Sequence, residues 1–429
     1  MNYIKKSLGA YNLHVIKTDL YKTITVKVFF REVVKKENIT KRNFLSRLMM
    51  LGTKDYPTKV ELTKKEQDLY AVNISGTNRR IGNYLDTGLS LRVLNDKYTE
   101  VGNFENCIDL LNSIIFNPKV INNKFSLEDF NTVYEEYKAD LTSLIENKMN
   151  YSLVRGLELT SKDTPIGYRS IGYLEDLEKI TPENLYDYYL EVINHNFVDI
   201  FILGDVDLEY ITNLFREKFP INTFKKAPQK ALLEELKVSK VKTIKESLKA
   251  EQDNLVITLN LNNLTEYERN YPLSLFNAIL GGGSESLLFR EIREKNSLAY
   301  YISSVPNKLD NLIIIRGGVT KGKSNAAIGI IKKILKDLAL GKIDDEMITK
   351  AKEYYTSALD DVIESTFQII ESYYMIELLG VDDIETKRKK MLKVTKEEIV
   401  AVANKIKMNT IYILEGSDND GTDWITKSR

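Results

Sequence analysis

The sequence has one cysteine, Cys107, and two histidines, His14 and His195, among 429 residues. A lone thiol can neither close an internal disulfide nor build a thiolate metal site, and its apolar helical setting, CIDLLNSIIF, reads as core. A nucleophilic cysteine would need a neighbouring histidine that the pattern does not offer. Net charge is missing as well: Lys plus Arg and Asp plus Glu number 61 each, with no long block of one sign. That balance speaks against a nucleic-acid arm or an acidic tail. No apolar run approaches membrane-spanning length, and MNYIKKSLGAYNLHVIKTDL turns polar too soon for a signal-peptide core. The expectation is a cytoplasmic protein with no nucleic-acid and no membrane partner. What is present, 43% hydrophobic and 28% charged residues, describes a globular chain with two domains or more.

The chain repeats itself. Thr181 to Gly204 parallels Val394 to Gly416: a capped helix, then a hydrophobic strand ending at glycine, with Thr395 and Glu398 in capping-box spacing. FLSRLMMLG, ending at Gly52, matches LSLFNAILG, ending at Gly281, as amphipathic helices stopped by glycine. Strands are expected over Leu13 to Val33 and Leu69 to Leu94, and helices over Phe104 to Phe116, Leu127 to Glu146, Thr181 to Ile193 and Glu209 to Phe219. The second half repeats that order, with long helices from Ser324 to Leu379. Strands first and helices afterwards favour α+β: two homologous halves, each a mostly antiparallel sheet with helices packed on one face. The expected division is an N-terminal domain 1–221, a polar linker 222–238 containing NTFKKAPQK, and a C-terminal domain 239–429.

Asn43, Ser46 and Arg47 stand at the i, i+3, i+4 spacing that places two zinc-binding imidazoles and a carboxylate base on one helical face in an H-x-x-E-H motif. NFLSRLMMLGT around them, and GGGSESLLFREIREKNSLAYYISS in the second half, resemble the insulinase/pitrilysin family, in its mitochondrial-processing-peptidase-like branch. The resemblance covers essentially the whole chain. It implies a metallopeptidase-like fold in which active members enclose peptides in a chamber. It also puts Asn43 and Arg47 where that family has its histidines and Ser46 where it has its base. Arginine stays protonated and repels a cation, and serine cannot activate zinc-bound water. The third ligand's place would fall near Thr142, flanked by Glu135, Glu136 and Glu146. With only His14 and His195 elsewhere, each read as structural, no metal and no cofactor are expected and no catalytic residue is assigned.

Arg293 and Tyr300 match the family's Arg/Tyr pair, which the resemblance implies to be a substrate clamp able to hold a peptide backbone or oxyanion. Read without the family, Arg293 is a solvated helix residue and Tyr300 a core tyrosine beside Leu298 and Ile302. A left-handed helix stop is expected at Asn296. Gly281, Gly282 and Gly283 form a stop before the SESLLFREI helix that can admit a peptide backbone. Gly317 to Ser324 reads G-x-x-x-x-G-K-S, a P-loop match, but the helical pattern that follows lacks the parallel strands and terminal aspartate of an ATPase. The function expected is a non-catalytic subunit of a heterodimeric zinc peptidase. Its partner would be a zinc-bearing insulinase-family homologue, and Arg293, Tyr300 and the three glycines would contact the peptide substrate. The alternatives are a stand-alone peptide-binding or scaffold protein and, less favoured, a P-loop ATPase. Within the family the resemblance points to firmicute members associated with aminopentanol modification of elongation factor P, which implies a role connected with that modification.

Overall fold

The computed structural model describes residues 1–221 and 240–418; the expected linker at 222–238 lies outside the described residues. The first half supplies β1 (Asn2–Ser7), β2 (Asn12–Lys17), β3 (Thr23–Val33), α1 (Lys36–Leu48), α2 (Lys59–Asp68), β4 (Asn73–Ile81), β5 (Tyr84–Leu94) and α3 (Asn103–Phe116). There follow the short ribbon β6 (Val120–Ile121) and β7 (Lys124–Phe125), then α4 (Leu127–Ser143), α5 (Lys148–Thr160), α6 (Leu174–Leu177), α7 (Pro182–His195), β8 (Phe197–Gly204) and α8 (Leu208–Lys218). The second half supplies β9 (Lys242–Lys249), β10 (Gln252–Asn260), α9 (Glu266–Asn270), α10 (Pro272–Gly281), a π-helix at Phe289–Lys295, β11 (Ala299–Asn307) and β12 (Leu312–Thr320). It ends with α11 (Ser324–Ala339), α12 (Asp345–Ile363), α13 (Thr366–Leu379), α14 (Ile384–Lys393), α15 (Lys396–Lys405) and β13 (Lys407–Ser417).

The strand orders make the repeat explicit: β1-β2-β8-β3-β5-β4 in one sheet and β11-β12-β10-β13-β9 in the other. Every pairing is antiparallel except β2 with β8 and β13 with β9. Starting from each parallel pair, both sheets follow the same path, so the α+β, mostly antiparallel plan is duplicated. The repeated helix starts are real caps: Thr181 with Asn184 before β8, and Thr395 with Glu398 before β13, each close a reciprocal capping box. One strand boundary differs from the sequence expectation. Leu69–Val72 is not strand, because Tyr70 and Ala71 adopt φ of 58° and 54° and turn the chain before β4. The long helices expected from Ser324 to Leu379 are three, α12 and α13 being restarted by the side-chain caps Asp344 and Ser365.

Strand alternation sets the two faces. On β3, Ile24, Val26, Val28 and Phe30 point into the core with α1 and α3 residues such as Phe44 and Ile108. Each fully buried apolar side chain of this size contributes about 1.5–3 kcal/mol. The other face carries Thr25, Lys27, Phe29 and Arg31, and α13 covers it. Lys27 pairs with Glu371, Arg31 donates to the Tyr374 hydroxyl at 3.0 Å, and the Phe29 and Tyr374 rings stack at 4.0 Å. Buried cations need such partners, which α13 brings. On β10, Leu255, Ile257 and Leu259 face the second core, while Val256 and Thr258 face α5. A Cβ at Gly156 of α5 would lie 2.9 Å from a Val256 methyl, so glycine is what lets this helix lie down on the sheet.

The compact units therefore differ from contiguous halves. One holds Met1–Thr142, the chain from Arg169 onward in the first described stretch, and Ser365–Gly380. The other holds Ser143–Tyr168, the chain from 240 to Glu364, and Val381 onward. Each sheet thus has its main helical layer from its own half and one helix on its second face from the other half of the sequence. No helix among the described residues is long and apolar enough to cross a membrane.

Candidate functional site

Helix α1 is anchored by a charge that sequence reading passed over. Arg42 is fully buried and donates to Thr87 Oγ1 at 2.6 Å, Glu32 Oε1 at 2.9 Å, Asn196 Oδ1 at 3.0 Å and the carbonyl of Phe30. One face of α1 is thus fixed to β3, β5 and the end of α7. On its other side Asn43 Nδ2 donates to the carbonyls of Ile39 and Ser170 at 3.0 and 2.8 Å, and Ser46 Oγ donates to the carbonyl of Asn43 at 3.0 Å. Arg47 Nη1 reaches Asp140 Oδ2 of α4 at 2.6 Å, and its guanidinium lies 4.6 Å from the centroid of the Tyr137 ring.

These residues do not fit a zinc ion. Asn43 Nδ2 and Ser46 Oγ donate to backbone carbonyls, neither side chain is an imidazole, thiolate or carboxylate of the kind zinc takes, and Arg47 puts a permanent cation against the carboxylate a metal would need. Among the described residues no group of three His, Cys, Asp or Glu side chains is arranged to hold a metal. The α4 carboxylate that meets α1 is Asp140, not a residue at Thr142, whose hydroxyl bonds to the carbonyls of Lys138 and Ala139 in its own helix. Glu135 and Glu136 are exposed. Spacing contained the signal for Asp140: it follows Tyr137 by three residues on α4, and both meet Arg47.

The two histidines are far from forming a ligand pair in chemistry. His14 is fully buried in β2, with Nδ1 at 2.8 Å from the Tyr3 hydroxyl, Nε2 at 3.0 Å from Asp199, and its ring stacked on Phe201. Burial raises the Asp199 carboxyl, but the His14 hydrogen bond and the Arg31 charge outweigh it and hold it below the usual range. His195 is exposed in the last turn of α7. Cys107 is buried in α3, where desolvation pushes its thiol up to about 12, so it is a core residue and no nucleophile.

Arg293 and Tyr300 both present their side chains to solvent. Arg293 lies on the π-helix Phe289–Lys295 with its guanidinium 4.7 Å from the Phe289 ring centroid. Tyr300 is 80% exposed, although its neighbours Ala299 and Ile302 are buried. The reason is a bulge: Ala299 pairs with Val319 and Tyr301 with Gly318, which leaves Tyr300 as the extra residue between them. A bulge breaks the period-two alternation and re-aims a side chain, so the core-tyrosine reading does not hold. The helix ends at Asn296 as expected, but Asn296 keeps φ −108° and the left-handed residue is Ser297, at φ 49°. Asn296 instead uses its side chain, Nδ2 donating to the carbonyl of Glu291 at 2.7 Å.

The glycines divide by role. A Cβ on Gly281 would lie 2.6 Å from Ser304 Oγ and 2.7 Å from Leu288, and one on Gly282 would lie 2.9 Å from Ala278. These two pack α10 tightly against β11 and its own preceding turn, whereas Gly283 is exposed beside Tyr354. The P-loop match is occupied from within. Asp253 of β10 accepts hydrogen bonds from the Gly322 amide at 3.1 Å, Ser324 Oγ at 2.8 Å and the Gly416 amide at 3.0 Å. The turn before α11 is therefore an anion cradle whose anion is a buried carboxylate of the same chain. Strand β12 also runs antiparallel to both neighbours, unlike the strand of a P-loop unit.

Comparison with known proteins agrees with this geometry. Residues 179–355 match the family model described as "Peptidase M16 inactive domain". The chain is 26% identical over 426 residues, 97% of its length and 99% of the relative's, to the "Probable inactive metalloprotease YmfF" of Bacillus subtilis (strain 168). It is 25% identical over 268 residues, 60% of this chain and 61% of the relative, to the "Uncharacterized zinc protease YmxG" of the same organism. The crystal structure of a conserved protein from Enterococcus faecalis V583 superposes with a TM-score of 0.91 at 28% identity, covering 98% of this chain and 100% of that one. The chain is thus similar over nearly its whole length to an inactive metalloprotease homologue and carries the peptidase M16 inactive-domain pattern over residues 179–355, while the residues of a zinc motif are absent from α1.

Proposed function

We propose that this protein is the non-catalytic subunit of a heterodimeric zinc peptidase, working in the cytoplasm beside a homologue that carries an intact H-x-x-E-H helix. The partner supplies the metal and the base, and this chain supplies Arg293 and Tyr300 to hold an extended peptide. One observation carries the reading: a bulge in β11 turns Tyr300 out to 80% exposure, in the segment that also bears exposed Arg293. A large aromatic held in water by its own backbone has no value for the core, and a bulge of this kind costs ladder hydrogen bonds. The replacement of the zinc ligands by an Arg47–Asp140 pair supports assigning the chemistry to another polypeptide. In this reading residues 1–221 and 239–429 are a duplicated domain. Gly283, the exposed glycine, is the one beside which a peptide can pass; Gly281 and Gly282 shape the loop behind it. The connection to elongation factor P modification rests on the family resemblance alone and forms the most specific version of the reading.

The test is co-purification with a zinc-bearing homologue from the same genome, followed by a peptide-cleavage assay. A stable pair whose turnover falls with Arg293→Ala or Tyr300→Phe supports the subunit role. Association without any change in those variants removes the clamp, and absence of association leaves the chain as a stand-alone peptide-binding protein and defeats the proposal.

A further inference from the structure

Beside Tyr300 the second sheet carries a depression of about 780 Å³, lined by Glu146, Lys148, Lys249, Glu251, Asn254 and Lys321. Three features give it one chemical character. Asn254 of β10 is 1% exposed; its Oδ1 accepts from the Tyr301 hydroxyl at 3.4 Å, while its Nδ2 has no hydrogen-bond partner. Buried amide donors are nearly always bonded, so one left over in the wall of a depression is a donor suited to an incoming acceptor. Helix α5 starts in the same wall, at Lys148, and its first turn adds the partial positive charge of a helix N-terminus. The Lys148 ammonium donates only to the carbonyl of Ile145, at 2.7 Å, so no carboxylate neutralises it. Lys321 pairs with exposed Asp418, and the acids facing the depression are Glu146 and Glu251.

Free donors on a buried amide, an unneutralised ammonium and a helix start converge on a compact anion. We propose that this depression is a subsite for a carboxylate of the bound peptide, from an Asp or Glu side chain or from the C-terminus, with Asn254 and Lys148 as its direct donors. The inference rests on the peptide-binding reading of Tyr300 and names the class of peptide: one that places an acidic group a short distance from the residue held at the clamp. Glu146 and Glu251 then act against a second negative charge, so one carboxylate is taken and an acidic run is not.

The experiment is fluorescence anisotropy on the full chain with three labelled peptides of one sequence. One has a single Asp and a free C-terminus, one has Asn in place of that Asp, and one has Asn together with an amidated C-terminus. Loss of the carboxylate that is used should weaken binding by at least about tenfold, the factor expected for one charge-assisted hydrogen bond, and the step at which the loss occurs identifies its source. Lys148→Glu, a surface change that leaves the core alone, should abolish the preference without weakening the neutral peptide, and Asn254→Ala should do the same in material whose circular dichroism is unchanged. Equal affinity of all three peptides, or equal weakening of all three by Lys148→Glu, overturns the subsite. If in that case the neutral peptide still binds and is lost with Arg293→Ala, the clamp survives without the subsite; failure of every peptide to bind overturns both.

Discussion

Rebuilding the missing motif tests the central claim about α1. The perturbation is the triple substitution Asn43→His, Ser46→Glu, Arg47→His. Its cost can be worked from the contacts it removes. The Arg47–Asp140 pair is partly exposed on both sides and contributes about 0–1 kcal/mol. The Arg47 guanidinium over Tyr137 adds about 0.5–1 kcal/mol. The two hydrogen bonds from Asn43 are worth about 1 kcal/mol each. The loss of about 2–4 kcal/mol is below the stability of about 5–15 kcal/mol usual for a folded domain, so the triple variant should fold. An imidazole plus a Zn–N bond of about 2 Å has much the reach of an arginine side chain, and Arg47 already reaches Asp140 at 2.6 Å. Two histidines and Asp140 then make three ligands with a fourth position open, as a catalytic zinc site requires. Free zinc at about 100 times Kd would stabilise the fold by about 2.7 kcal/mol, and at about 2–4 °C per kcal/mol for units of this size the melting temperature should rise by about 5–10 °C. Metal analysis after dialysis and thermal melts with and without zinc read both effects. One zinc per chain surviving dialysis in the wild type refutes the account of α1; a folded triple variant that takes no zinc refutes the placing of Asp140 as the carboxylate that faces the motif.

Three further outcomes are expected. Asp253→Ala should cost about 3–5 kcal/mol in urea unfolding, because three donors lose a charged acceptor, whereas Lys323→Ala should stay within about 0.5 kcal/mol; ATP binding by the wild type that disappears with Lys323→Ala would restore the P-loop reading. Asp86 is buried beside Arg79, and desolvation pushes its carboxyl up to about 6 against the opposing charges of Arg79, Arg31 and Arg42. The fold therefore favours the protonated form, and this group's contribution to stability is present below the ordinary carboxyl range and is lost as pH rises from about 4 through 6. A shift of about two pKa units corresponds to about 3 kcal/mol, so wild type and Asp86→Asn should diverge in unfolding free energy by that amount between pH 4 and 7.5, and parallel profiles would contradict it. Gly281→Ala forces a methyl to within 2.6 Å of Ser304 Oγ and should cost about 1–3 kcal/mol, read by thermal melting; a neutral result would show that β11 yields easily at this point.

The duplicated plan was legible because it is written in local chemistry. Thr181 and Thr395 cap equivalent helices, β8 and β13 are hydrophobic runs closed by Gly204 and Gly416, and period-two alternation on β3 and β10 marks core-facing sides. The absence of zinc ligands at Asn43, Ser46 and Arg47 was legible through the family resemblance, which sets these positions against a zinc motif; helical spacing adds only that the three share one face. The bulge at Tyr300 was not legible: its residues fit a regular strand, and only the pairing with Val319 and Gly318 displaces it. The P-loop match misled for the complementary reason. Its glycines and serine do build an anion cradle, but the anion is Asp253, more than sixty residues earlier in the chain.

By itself the sequence determined most of the helices and strands, that each half repeats the other's order, and that positions 43, 46 and 47 of α1 carry no zinc-binding side chains, because caps, periodicity and ligand chemistry act within a few residues. Only the tertiary structure decided that α5 and α13 cover the sheet of the other half, that Arg47 closes on Asp140, that Tyr300 faces water and that Asn254 keeps a free donor. Those outcomes depend on pairing register and on partners distant in the chain, which satisfy buried charges and donors that local sequence can place but cannot pair.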